Sequence, residues 1–122
     1  MPEMVEATLL SIFVAENDRL HGRLLHRALV AKAQEMKMAG ATVLPAPVGF
    51  GQSRMSRSEI NVDAGPYLPI VIEIVDTEEN IARFLAVIDG MIESGLVTLE
   101  KVRAAFYRKA GQLAAADDPS PP

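Results

Sequence analysis

The side chains whose types and spacing suit ligand chemistry gather between residues 41 and 76. Gly49-Phe50-Gly51 places two glycines around an aromatic ring. Glycine has no Cβ, so the backbone there can approach an anion closely; the same pattern also makes a plain loop bend. Arg54 and Arg57 follow, interleaved with Ser53, Ser56 and Ser58. Guanidinium forks grip phosphate or carboxylate in bidentate fashion; the alternative is a solvated loop. The acid of the stretch is Glu73, inside the run Ile70-Val71-Ile72-Glu73-Ile74-Val75. A carboxylate in so apolar a strand is expected to pair, with Lys101 or Arg103 of its own chain or a neighbour, or else to contact a ligand.

No nucleophile, base and orienting acid occur at catalytic spacing, so the chain reads as a non-enzyme. The only histidines, His21 and His26, stand five apart near Asp18, which matches no metal-binding pattern. Glu16 and Asp18 form an acidic turn, suited to a hard cation or simply to water. Pro2 would carry the terminal amine if Met1 were removed, the arrangement that small oligomeric tautomerases use. Here residues 3–6 separate it from the first strand.

A chain of 122 residues fits one domain, and 49% hydrophobic residues suffice for a core. A net charge of −4 argues against nucleic acid as the main partner. With no cysteine, disulfides and thiolate metal sites are excluded. The apolar runs are too short to insert in a membrane and no signal peptide is visible, so a cytoplasmic location is expected.

These residues need elements to position them. Residues 7–15, nearly continuous in apolar character, predict a central strand, and 16–22 a loop. Residues 23–38 predict a helix with Leu25, Ala28, Leu29 and Met36 on its apolar face, interrupted by Lys32, and Gly40 as its stop. A second strand is expected at 41–44 and a third at 68–75. The connection over 45–66 is far longer than a hairpin needs, which marks a functional loop, expected to be mobile around residues 52–58. Asp76 and Thr77 are N-cap candidates, Asp76 with Glu79 at capping-box spacing. The second helix, 78–94, carries Ile81, Phe84, Leu85, Ile88, Met91 and Ile92 as its stripe. Gly95 ends it. Residues 96–107 predict a fourth strand, closing a domain over 1–107, and 108–122 a disordered tail.

The order βαββαβ predicts an α+β, ferredoxin-like two-layer sandwich: an antiparallel sheet with two helices on one face, strands one and three side by side in its centre. The other face should then be polar, yet Leu9, Phe13, Val71 and Val75 fall on it. An apolar sheet face of this kind marks an interface and predicts a homo-oligomer.

Four segments occur in a telling order: Gly40-Ala41-Thr42-Val43, Val48-Gly49-Phe50-Gly51, Leu68 through Asp76, and Gly95-Leu96-Val97-Thr98-Leu99-Glu100. Together they resemble the uncharacterised PII-like family known as domain of unknown function 190, over about residues 9–102. The resemblance implies the ferredoxin-like fold and a homotrimer similar to the PII nitrogen regulatory proteins. It implies an anionic effector, an adenine nucleotide by analogy, in clefts between subunits, with Gly49-Phe50-Gly51 as the loop base. It also implies that the loop between strands two and three contacts a regulated enzyme, transporter or channel. The glycine-rich phosphate loop of true PII proteins is replaced here by Glu93-Ser94-Gly95. The ligand-binding set expected on this reading is Gly49, Phe50, Gly51, Arg54, Arg57 and Glu73, in a non-catalytic sensor. The alternatives are a divalent-metal-binding trimer of the same fold and a tautomerase using Pro2.

Overall fold

A computed structural model of the chain describes residues 2–46 and 68–107. The elements are β1 (Val5–Ala15), a short ribbon of β2 (Arg19–Leu20) and β3 (Arg23–Leu24), α1 (Leu25–Glu35), β4 (Thr42–Pro45), β5 (Pro69–Asp76), α2 (Glu78–Ile88) with a 3-10 turn at Asp89–Met91, and β6 (Leu96–Ala104). The four long strands form one antiparallel sheet in the order β4-β5-β1-β6. This is the expected α+β ferredoxin-like sandwich, with β1 and β5 central.

The core lies between the sheet and the helices. Alternation along β5 sends Ile70, Ile72 and Ile74 to the helix side, and Leu10, Ile12 and Val14 of β1 join them. Leu25, Ala28, Leu29 and Ala33 recur at helical spacing and form the buried face of α1; Ile81, Phe84 and Ile88 do so on α2. Phe84 is fully buried at the centre of this cluster.

Several boundaries differ from the sequence expectation, each for a local reason. Helix α1 begins at Leu25 because residues 19–24 turn back as a hairpin ribbon. His21 (φ 50°) and Gly22 (φ 83°) are both left-handed, as a two-residue type I′ turn requires. Helix α1 ends at Glu35 and is closed off by Lys37, not by Gly40. Lys37 takes φ 57°, with Met38 N–H donating to Ala33 O and Lys37 N–H to Gln34 O, a Schellman closure without glycine. Thr77 caps α2, its Oγ1 accepting from Asn80 N–H.

Asp76 is not a capping-box partner; it is fully buried at the end of β5. Its carboxylate accepts from Thr77 N–H at 2.7 Å, Asn80 Nδ2 at 2.9 Å and Ala39 N–H at 2.8 Å. One acid thus ties the exit of α1 to the entry of α2. Helix α2 ends at Ile88, six residues earlier than expected, and Ile92 is already extended. Gly95 allows a close approach: a Cβ there would lie 2.6 Å from Phe13 O.

Candidate functional site

The connections divide between the two ends of the sheet. At one end lie the β1–α1 ribbon, the α2–β6 connection and both stems of the segment joining β4 to β5. The stems are held by backbone bonds: Ala46 N–H donates to Pro69 O at 3.1 Å, and Glu16 N–H donates to Leu68 O at 2.8 Å. Asp18 organises the ribbon's entry. Its Oδ2 accepts from Ala15 N–H at 2.9 Å, while its carbonyl accepts from Leu25 N–H, the first turn of α1. Arg19 Nη1 donates to Gly22 O at 2.9 Å, which aligns the guanidinium along the ribbon.

Between this ribbon and the α2–β6 connection lies a cleft of about 470 Å³, with Asp18, Arg19 and His21 on one wall and Met91, Glu93 and Ser94 on the other. It presents both charge signs and a hydroxyl, a lining fit for a polar ligand and for no single sign of charge. A second concavity, of about 390 Å³, runs between α1 and the outer edge of β4. His26, Arg27, Val30, Ala31, Gln34 and Val43 line it. Nδ1 of His26 is buried there without a hydrogen-bond partner among the described residues. Burial, then the nearby Arg27 charge, lowers the His26 pKa below 6.5, against an opposing pull from Glu16.

Of the site residues expected from sequence, Gly49, Phe50, Gly51, Arg54 and Arg57 lie outside the described residues, as does the tail from residue 108. Glu73 is described. It stands half-buried on the sheet face away from the helices, with Ser11 and Thr42 directly across and Thr98 one strand further. The expected pairing with Lys101 or Arg103 of the same chain is wrong. Lys101 lies across from Thr8 and Arg103 across from Glu6, so both project from the helix side of the sheet, opposite to Glu73. Pro2 stands ahead of β1, which starts at Val5. No three His, Asp or Glu side chains among the described residues are grouped to hold a metal.

Sequence alone reveals neither the ribbon nor the two concavities. The signal for the ribbon is Arg-Leu repeated on either side of His21-Gly22; the concavities arise only from tertiary placement.

A family model described as uncharacterized ACR, domain of unknown function 190, matches residues 7–104. The UPF0166 protein of Aquifex aeolicus is 37% identical over 103 residues, covering 84% of this chain and 97% of its own. Among solved structures, the fold is similar to that of CPII from Thiomonas intermedia bound to ADP, AMP and acetate. The TM-score is 0.61 at 16% identity, covering 84% of this chain and 92% of that one. A putative PII-like signaling protein from Thermus thermophilus gives a TM-score of 0.59 at 24% identity, with 84% and 93% coverage.

Proposed function

The chain belongs to the family of domain of unknown function 190, and on that premise we propose that it is a non-catalytic PII-like signalling protein. In this reading it assembles as a homotrimer, binds an anionic effector of the adenine-nucleotide class at subunit clefts, and contacts a regulated protein through the segment between β4 and β5. The observation that carries the proposal is the shared fold with CPII, which has been solved with ADP and AMP bound. The placement of connections agrees with it. The stems of the β4–β5 segment, the arginine-bearing ribbon and the α2–β6 connection share one end of the sheet, so a ligand at the stems is within reach of all three.

Arg54 and Arg57 supply the guanidinium forks for the phosphates, and Gly49 and Gly51 the close backbone approach beside Phe50. Glu73 is the acid on the sheet face that lies between subunits. Ligand binding at these residues alters partner docking.

The test is a thermal-shift and calorimetric titration of the full chain with ADP, AMP and ATP, with inorganic phosphate as control. A nucleotide present at 100 times its dissociation constant stabilises the folded state by about 2.7 kcal/mol. Arg54→Ala and Arg57→Ala should lower the affinity without lowering the stability of the free chain. No shift with any nucleotide would refute the effector assignment.

A further inference from the structure

The cleft between the ribbon and the α2–β6 connection lies within one chain. Its charged lining is two carboxylates and one guanidinium: Asp18 and Arg19 on the ribbon wall, with His21 at the turn, and Glu93 on the opposite wall. That lining argues against three classes of ligand. A phosphate or other multiply charged anion would meet two carboxylates for one guanidinium. A simple organic cation would be attracted by the acids but repelled by Arg19. A metal ion lacks a ligand set, since no three His, Asp or Glu side chains among the described residues are grouped to hold one. What satisfies both signs at once is a single molecule that carries both.

The charges of the ribbon wall are fixed in place by the backbone. Asp18 is tied three ways: its Oδ2 accepts from Ala15 N–H at 2.9 Å, its own N–H donates to Ala15 O at 3.1 Å, and its carbonyl accepts from Leu25 N–H at 2.8 Å. Arg19 is aligned by Nη1 donating to Gly22 O at 2.9 Å, across the left-handed turn His21-Gly22. That bond uses one nitrogen and leaves the rest of the planar fork to a carboxylate. On the other wall Glu93 and Ser94 are exposed. They offer an acceptor for an ammonium group and a hydroxyl that bonds either charge. The remaining wall is partly apolar. Leu20 and Met91 pack half-buried against the core, and Leu25 is buried beside them. A volume of about 470 Å³ falls in the range of small-molecule sites.

We infer that this cleft binds a zwitterion of the α-amino-acid class with an apolar side chain. The ligand's carboxylate lies on Arg19, its ammonium on Asp18 and Glu93, and its side chain against Leu20, Leu25 and Met91. Charges already held by the backbone need little ordering when the ligand arrives, which favours affinity for so small a molecule. Each charged group of the ligand also excludes its truncated analogues. Without its carboxylate it leaves Arg19 unanswered, and without its ammonium it brings a third carboxylate into the cleft. The inference goes beyond the nucleotide reading and does not rest on it, because the cleft is built from one chain and its acids repel phosphate.

The test is isothermal titration calorimetry of the full chain at neutral pH with L-leucine, L-isoleucine, L-methionine and L-phenylalanine. Each is compared with the amine that lacks its carboxylate and the acid that lacks its ammonium. At least one amino acid should bind, and its amine and its acid should each bind about tenfold more weakly or worse, the worth of one charge-assisted hydrogen bond. Arg19 and Glu93 are both exposed, so Arg19→Ala and Glu93→Gln should keep the far-UV circular dichroism spectrum while weakening the amino acid to a similar extent. Arg19→Lys should recover part of that loss, and Arg19→Ala should not weaken the amine, which has no carboxylate to lose. The inference is overturned if none of the four amino acids binds, if an amine or an acid binds as tightly as its amino acid, or if both Arg19→Ala and Glu93→Gln leave the affinity unchanged. ADP titrated in parallel separates the two readings: a chain that binds an amino acid but no nucleotide keeps this site and loses the nucleotide assignment, and the reverse result does the opposite.

Discussion

Strand β5 shows two environments within one run of sequence. Ile70, Ile72 and Ile74 are 4%, 0% and 1% exposed beneath the helices. Val71, Glu73 and Val75, each one residue along, are only half-buried on the other face. The side chains are similar in size and five of the six are β-branched and apolar, so intrinsic preference does not distinguish the faces. What differs is the cover. Helices α1 and α2 fill one face with Leu29, Phe84 and Ile88; no described helix crosses the other. A strand that is apolar on both faces is the signature of a sheet covered on both sides. The second face, uncovered among the described residues, is accordingly a surface that, in the proposed assembly, other copies complete.

The contrast breaks most readily at Phe84. Phe84→Ala empties the centre of the covered face and should cost roughly 3–5 kcal/mol in urea denaturation. A loss below about 1 kcal/mol, the range of ordinary surface changes, would mean that α2 does not cover the sheet.

Asp76 tests how the covering helices are fixed. Asp76→Ala removes the acceptor of Ala39 N–H, Thr77 N–H and Asn80 Nδ2, and roughly 1–3 kcal/mol should be lost for leaving these part-buried donors without it. Asp76→Asn, which keeps one carbonyl acceptor, should lose less. Equal losses would show that the one retained acceptor contributes nothing on its own.

Val71 probes the opposite face. On an uncovered face Val71→Ala should cost under about 1 kcal/mol, independent of protein concentration. On a face covered by other copies the cost should be larger and the unfolding midpoint should fall on dilution. The second outcome is the expected one.

His26 gives the smallest effect. Its pKa is lowered in the folded chain, so between that value and 6.5 the unfolded chain binds more protons. Stability should therefore be full above pH 6.5 and fall as the pH drops through 6.5 toward the folded value, levelling off below it. His26→Gln should flatten that part of the profile; an unaltered profile would assign the dependence to other groups.

The alternation of β5 and the stripe Ile81-Phe84-Ile88 make the sandwich legible in the sequence, because period-2 and period-3.6 patterns survive wherever one face is buried. The two-residue strands of the ribbon carry no period, so the residues alone suggest a loop and the start of a helix. The Schellman stop at Lys37 is hidden because Gly40, three residues on, offers the conventional glycine signal. Glu73 stands out as a residue, but its neighbours do not. The register that sends Lys101 to the opposite face depends on strands far apart in sequence, which no local window contains. The groove beside β4 belongs to the same class of feature, since it exists only once α1 lies over the sheet edge.

If the second face of this sheet is completed by other copies, the chain cannot be a monomer at working concentration. Multi-angle light scattering of the full chain at micromolar concentration decides the matter. The expected mass is that of three chains, unchanged on moderate dilution. A single-chain mass of 13.2 kDa across that range would contradict it.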